Sequence, residues 1–473
     1  LIRRYPVRSA LILIFSVLII VTLYGMFKPL PEGVSYEGEV HSVDDVDFIY
    51  NRSSMDEDGN EDFEEEIFTR ILEAVSEAEE FVLVDLFLYN DKGAEDEPPI
   101  SGALTEALIE KHEENEDIDI IVLTDPINTS YHSHESTQLQ RLEEAGIETV
   151  ITELDPLRDS NPLYSGIWRT FLQWFGQEGE GWIENPFGDD APDMTVRSYL
   201  KLMNGKANHR KVIATEQRGF VTSANWEDAG AYYSNAGFEI QGEAINDLVS
   251  SAQAVLDFSG GPDIQEDMQA EPADEGPYDL QVLTEGENFE QAKEMLQGAE
   301  EGDDLWLGMF FLSERNLIDE IENAAERGVN VRLILDPNEN AFGVEVFGMP
   351  NRPVAEELLE DSEGAVNIRW YNTADEQFHP KMLAVFSDDK AKMLAGSANF
   401  SSRNLRNNNL DTNVYIESDV DAEAAVEVRE WFEEMWLNDG QKYTLAYGAY
   451  ENPHRWWKRL AYGLQKISGL TTY

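Results

Sequence analysis

The chain writes one short pattern twice. "KANHRKVIATEQRGFVTSANW", from Lys206, sets a histidine and a lysine two residues apart and then delivers Ser-Ala-Asn. "QFHPKMLAVFSDDKAKMLAGSANF", from Gln377, does the same. Each copy reads as strand, turn and return strand. Histidine and lysine two apart on a strand project from the same face, and the return strand brings back Ser and Asn. A unit repeated on this scale predicts a chain made of two equivalent halves.

The surroundings repeat as well. The first half gives "VDFIY", the helical "DFEEEIFTRILEAVSEA", "FVLVDLFLY", "IDIIVLTDP" and "IETVIT"; the second gives "LQVLTEG", "NFEQAKEMLQGA", "DLWLGMFFL", "VNVRLILDP" and "VNIRWYN". Short apolar runs alternating with amphipathic helices predict an α/β fold. Each half is expected to hold a mixed, mostly parallel sheet flanked by helices, with the halves packed about a pseudo-twofold axis. Asp125-Pro126 and Asp336-Pro337 end equivalent strands, where proline stops pairing as the chain turns away.

The predicted organisation places the anchor at 1–30, the first half at 44–258 and a linker at 259–277. The second half follows at 278–440 and a basic aromatic segment at 441–473. Asp125 lies about forty residues further from His209 than Asp336 lies from His379, so the first half carries an insertion, 155–195. Within it Trp168, Phe171, Leu172 and Phe175 fall at helical spacing. The stripe reads either as a lid helix packed on the core or as an aromatic face turned toward a membrane.

Before the first half, Arg3, Arg4 and Arg8 precede an uncharged run from Ala10 to Phe27. As a helix the run is about 27 Å long, close to a hydrocarbon core. It reads as a single-pass cell-membrane anchor with the arginines cytoplasmic and the body outside. A cleaved export signal is the other reading, and it too exports the body. At the far end Arg455, Lys458, Arg459 and Lys466 stand beside Trp456 and Trp457. That segment reads as one lying on anionic lipid, or as a terminal helix whose cations complement the acidic body.

That body has 94 acidic and 34 basic residues, a formal net charge of -60, yet keeps 11% aromatics and is 42% apolar. Such a composition buries a core, unlike a disordered acidic tail. At molar salt the Debye length falls to about 3 Å and self-repulsion is screened, so the charge reads as halophilic adaptation. It says little about partners. The chain has no cysteine, which excludes thiol nucleophiles, disulfides and zinc–thiolate sites.

Histidine can act as nucleophile or acid–base, and lysine as a point charge for a phosphoryl oxygen. One copy of the motif is half a phosphate site. Two copies meeting across a pseudo-twofold axis put a histidine on each side of one phosphorus, as in-line displacement requires. The sequence resembles the phospholipase D superfamily, whose signature is His-x-Lys-x4-Asp followed by Gly-Ser-x-Asn, present twice. "NHRK" is similar to the motif of cardiolipin-synthase-like members, here of the kind expected in halophilic archaea.

The resemblance implies that His209 and His379 are nucleophile and general acid, working through a phosphohistidine, and that Lys211, Lys381, Ser223, Asn225, Ser397 and Asn399 hold the phosphate. It further implies Glu239 and Asp411 as the carboxylates that orient the histidines, and no metal or cofactor. Three positions depart from the signature. Glu216 stands for the first aspartate, while Phe386 holds the second, with Asp388 and Asp389 just beyond; Thr222 replaces the glycine that Gly396 keeps. His132 and His134 lack the further ligands of a metal site and read as a loop at the rim. The expected activity is lipid phosphodiester hydrolysis or phosphatidyl transfer by a monomer on an anionic phospholipid membrane. A nuclease acting on nucleic acid and a catalytically silent lipid-binding envelope protein are the alternatives.

Overall fold

Each half builds one sheet, and the two sheets share the core between them. The computed structural model describes residues 6–56, 59–92, 97–174, 181–185, 192–264, 268–341, 344–373 and 376–450. Phe175 and the basic cluster Arg455–Lys466 lie outside the described residues.

The first sheet runs in the order Glu61–Glu64, Val46–Met55, Asn235–Ile240, Gly219–Thr222, Lys211–Thr215, Phe81–Leu86, Asp119–Thr124, Glu148–Ile151. The second repeats that order from Tyr278–Thr284 through Thr412–Asp419, Lys390–Gly396, Lys381–Phe386, Asp304–Met309 and Asn330–Leu335 to Asn367–Tyr371. His41–Val43 and Thr444–Ala446 are added at its two edges. The segment ahead of residue 44 therefore pairs with the second half rather than the first.

Parallel pairing was expected to dominate, and it does not. In each sheet only the three strands joined through helices pair in parallel. The histidine motif forms a hairpin, Lys211–Thr215 with Gly219–Thr222 and Lys381–Phe386 with Lys390–Gly396. A tight turn forces antiparallel pairing, and the next strand continues that meander.

Helices cover the outer faces. α1 is Pro6–Phe27; α2 (Ile67–Glu77), α3 (Ile100–Glu114) and α4 (Thr137–Ala145) lie on the first sheet. α2 shows why: Ile67, Phe68, Ile71, Ala74 and Val75 make one buried stripe at helical spacing. The central layer is more unusual. Helix Ala244–Ser259 of the first half packs on strand Tyr278–Thr284 of the second, and Glu423–Leu437 of the second packs on Val46–Met55 of the first. Trp431 carries this contact, edge-on to Phe48 at 5.6 Å between ring centroids and stacked on Phe378 at 6.3 Å.

Candidate active site

The two Asp-Pro corners fix the backbone that enters each motif. Asp125 Oδ1 accepts from Ile127 N at 2.7 Å and its Oδ2 from Asn208 N at 2.7 Å. Asp336 does the same with Asn338 N at 2.6 Å and Phe378 N at 2.8 Å. Each carboxylate thus clamps the residue immediately before a histidine. Burial pushes both carboxyls up to about 7, against the pull of these N–H donors.

The histidines are completed by the opposite half. Asn208 bridges Leu410, and Ser234 bridges Phe378, so the chain entering each motif runs parallel to the other half's last motif strand. His209 Nδ1 lies 2.8 Å from Asp411 Oδ1. His379 Nδ1 lies 3.1 Å from Asn235 Oδ1. Asn235 turns its amide nitrogen to Tyr233 O at 3.0 Å, so its oxygen faces the ring and accepts from an Nδ1–H. With each Nδ1 engaged in this way, each neutral imidazole keeps its lone pair on Nε2.

Four further pairs repeat this symmetry. The Phe87 and Phe310 rings lie 4.8 and 4.9 Å from the His209 and His379 rings. Lys211 Nζ donates to His209 O at 2.8 Å, and Lys381 Nζ to His379 O at 2.6 Å. Ser223 Oγ donates to Asn235 Oδ1 at 2.8 Å, and Ser397 Oγ to Asp411 Oδ1 at 3.1 Å. The serines therefore hold the histidines' partners and give their proton to them. Asn225 Oδ1 and Asn399 Oδ1 are both buried with no partner among the described residues.

Electrostatically the two histidines and two lysines form one buried unit. Burial first, then Lys211 and Lys381, hold both imidazoles well below 6.5, and His209 adds to the effect on His379. Lys211 is lowered to about 7 by burial, with Asp411 pulling it back; Lys381 is lowered further. Asp411 is raised to about 7 by burial, with Asn404 the leading counterweight. An anion beside these two buried lysines would favour their protonated forms.

Several expected residues stand elsewhere. Glu239 does not reach a histidine: it binds Arg218 and Arg70 at the far end of its strand, while Asn235, at the start of that strand, occupies the position equivalent to Asp411. Glu216 accepts from the backbone of Glu79 at 2.8 Å, and of Glu80 and Phe81 at 3.3 Å, fixing the start of strand Phe81–Leu86. Asp388 sits exposed in the hairpin turn, while Phe386 is buried under the Arg429 guanidinium.

Gly396 adopts φ +154°, and a Cβ there would run into Thr412 O. The first half solves the same close approach from the other strand: Thr222 faces Gly237, whose missing side chain makes the room.

Sequence reading missed several residues. Asn404 donates to both oxygens of Asp411, at 3.2 and 2.9 Å. Arg210, inside the first motif, reaches Glu285 at 2.8 Å, and Glu285 in turn accepts from Asp411 N. Glu227, raised to about 7 by burial, accepts from Asn225. The aromatic after each "VDL" or "LGM" strand could have been found by overlaying the halves. His132 and His134 line an open groove of about 730 Å³ with Glu143 and Ile151. No metal-binding cluster of His, Asp and Glu occurs among the described residues.

Two duplicated α/β halves, each histidine held by the opposite half, define the architecture of the site. Residues 292–436 match the family described as "Cardiolipin synthase, PLD-like domain". A phospholipase-D-like domain is therefore present in this chain. No curated protein matches the sequence. Among solved structures, phosphatidylserine synthase of Haemophilus influenzae is similar in fold, with TM-score 0.57 and 13% identity over 93% of this chain and 96% of that one. Polyphosphate kinase of Porphyromonas gingivalis gives TM-score 0.46 at 15% identity, over 90% of this chain and 53% of that one.

Proposed function

We propose that the protein is a membrane-anchored phosphodiesterase or phosphatidyltransferase of the phospholipase D type, acting on phospholipid head groups. The observation that carries this reading is the crosswise pairing: each half supplies a histidine whose Nδ1 is held by the other half, beside two buried lysines. His209 is the nucleophile. Its partner is a carboxylate, which stabilises the positive phosphoimidazole that forms when Nε2 bonds to phosphorus. His379, paired with the neutral Asn235, is the acid–base group and gives up its proton more readily.

In the forward step the His209 Nε2–P bond forms, the bond to the head-group oxygen breaks, and His379 protonates the departing alkoxide. The anionic phosphodiester raises His379 as it enters, which supplies the protonated form. In the second step His379 takes a proton from water or an alcohol, whose oxygen displaces His209. Lys211, Lys381, Asn225 and Asn399 surround the phosphate oxygens.

α1 fits the anchor: Val7–Phe27 has mean hydropathy 2.6 and is only 11% buried. The membrane location, the exported body and the salt adaptation belong to the same proposal. To test it, the full chain at molar salt is incubated with phosphatidylglycerol vesicles and, separately, with single-stranded DNA. Products are read by mass spectrometry beside His209→Ala. Phosphatidic acid or a new phosphatidyl ester, absent with the variant, supports the reading. Shortened DNA with unchanged lipid makes the protein a nuclease instead.

A further inference from the structure

The insertion meets α1 as a second membrane helix would. α5 (Pro162–Ile167) continues into a π turn, Trp168–Leu172, and the pair runs antiparallel beside the last turns of α1. Asp159 N donates to Gly25 O at 3.1 Å, Gly166 abuts Thr22, and Arg169 Nη1 donates to Val21 O at 3.5 Å. A Cβ on Gly166 would overlap the Thr22 side chain, and one on Gly25 would overlap Asp159 and Arg169. Small residues that let two backbones close together are how helices pack in lipid, where no hydrophobic effect drives them.

The opposite face of this segment is bare and apolar. Leu163, Ile167, Phe171 and Trp174 recur every three or four residues, and Trp174 is 73% exposed. The polar side chains nearby turn inward. Thr170 Oγ1 donates to Gly166 O at 2.7 Å, Gln173 Nε2 to Arg169 O at 2.9 Å and Trp174 Nε1 to Thr170 O at 3.3 Å. On a helix facing water such donors need not fold back onto their own carbonyls; in hydrocarbon they must. Arg169 runs back to the buried Asp159, which also holds Lys206 at 3.2 Å, three residues before the catalytic histidine.

We infer that residues 162–174 form a half-embedded helix, docked on α1 and seated in the outer half of the bilayer. The occupant of its apolar face is phospholipid acyl chain. Pro162–Leu172 spans about 16 Å, roughly half of a ~30 Å hydrocarbon core. The segment enters with α1 and does not cross. The inference rests on the anchoring reading of α1, and Lys206 then ties its outer end to the first motif.

The absence of native cysteine allows a direct test. Single cysteines at Leu11, Phe171, Trp174 and exposed Glu144 are labelled with an environment-sensitive fluorophore. The full chain is reconstituted in phosphatidylcholine–phosphatidylglycerol vesicles with and without doxyl-labelled lipid. Probes at Phe171 and Trp174 are expected to be blue-shifted and quenched, as at Leu11, with neither effect at Glu144. Quenching at Leu11 with water-like probes at Phe171 and Trp174 overturns the inference and leaves the anchor standing. Water-like emission at all four sites overturns both. Gly166→Leu, combined with the Phe171 probe, should return that probe toward water while Leu11 stays quenched. An unchanged Phe171 probe would show that α1 does not seat the segment.

Discussion

Asn235→Asp replaces the neutral partner of His379 with a charged one and so tests the asymmetry on which the assignment of roles rests. In the native protein the ring faces an amide oxygen 3.1 Å away, and burial with two nearby lysines keeps it neutral. A carboxylate there favours imidazolium, so the sign of the change is upward. One opposite charge at this range moves a histidine by about one to three pH units, equivalent to about 1.4–4 kcal/mol. The substitution has a second effect. The Asn235 nitrogen that donates to Tyr233 O becomes an oxygen facing an oxygen, which should cost about 1–3 kcal/mol of stability. With seven histidines in the chain, imidazole titration by NMR on ¹⁵N-histidine protein can resolve the site, His379→Gln supplying the assignment. The expected result is a His379 midpoint raised from well below 6.5, His209 moving far less, and a lower melting temperature. If the His379 midpoint is unmoved in folded protein, Asn235 does not hold that ring, and the argument for His209 as nucleophile fails with it.

Asp411→Asn should cut formation of the phosphoenzyme by about 10- to 100-fold, the loss of a charge-assisted hydrogen bond to the phosphoimidazole; rapid-quench capture of labelled lipid phosphate reads it directly. Glu239→Gln should act on stability alone: its ion pairs with Arg70 and Arg218 are partly solvated, so urea unfolding should lose about 1–3 kcal/mol while kcat stays near native. A fall in kcat without a fall in stability would return Glu239 to the catalytic set. Raising potassium chloride from about 0.1 M to about 2 M should raise the melting temperature, because a net charge of -60 is then screened; a flat or falling curve would refute the halophilic reading.

The sequence by itself determined the duplication, the two motifs and the Asp-Pro corners, because repetition and residue identity are local and survive any change of register. It also singled out the histidines and lysines proposed to carry the chemistry. His209 and Lys211, two positions apart where the strand begins, come together at Phe87. Residue type alone failed at one histidine's partner. Asp411 lies 14 residues after Ser397 and Asn235 lies 12 after Ser223, but Asn235 is an amide, so looking for an acidic residue on the following strand passes over it to Glu239. The same blindness made the sheets look parallel, since apolar runs do not reveal that a hairpin reverses them.

Only the tertiary structure could decide the crosswise pairing. His209 and Asp411 are 202 residues apart, and they meet because the swapped central helices lock one sheet against the other. A histidine's partner is chosen by which surface packs against it, and that choice is made by burial of both sheets' inner faces, not by any spacing within either half.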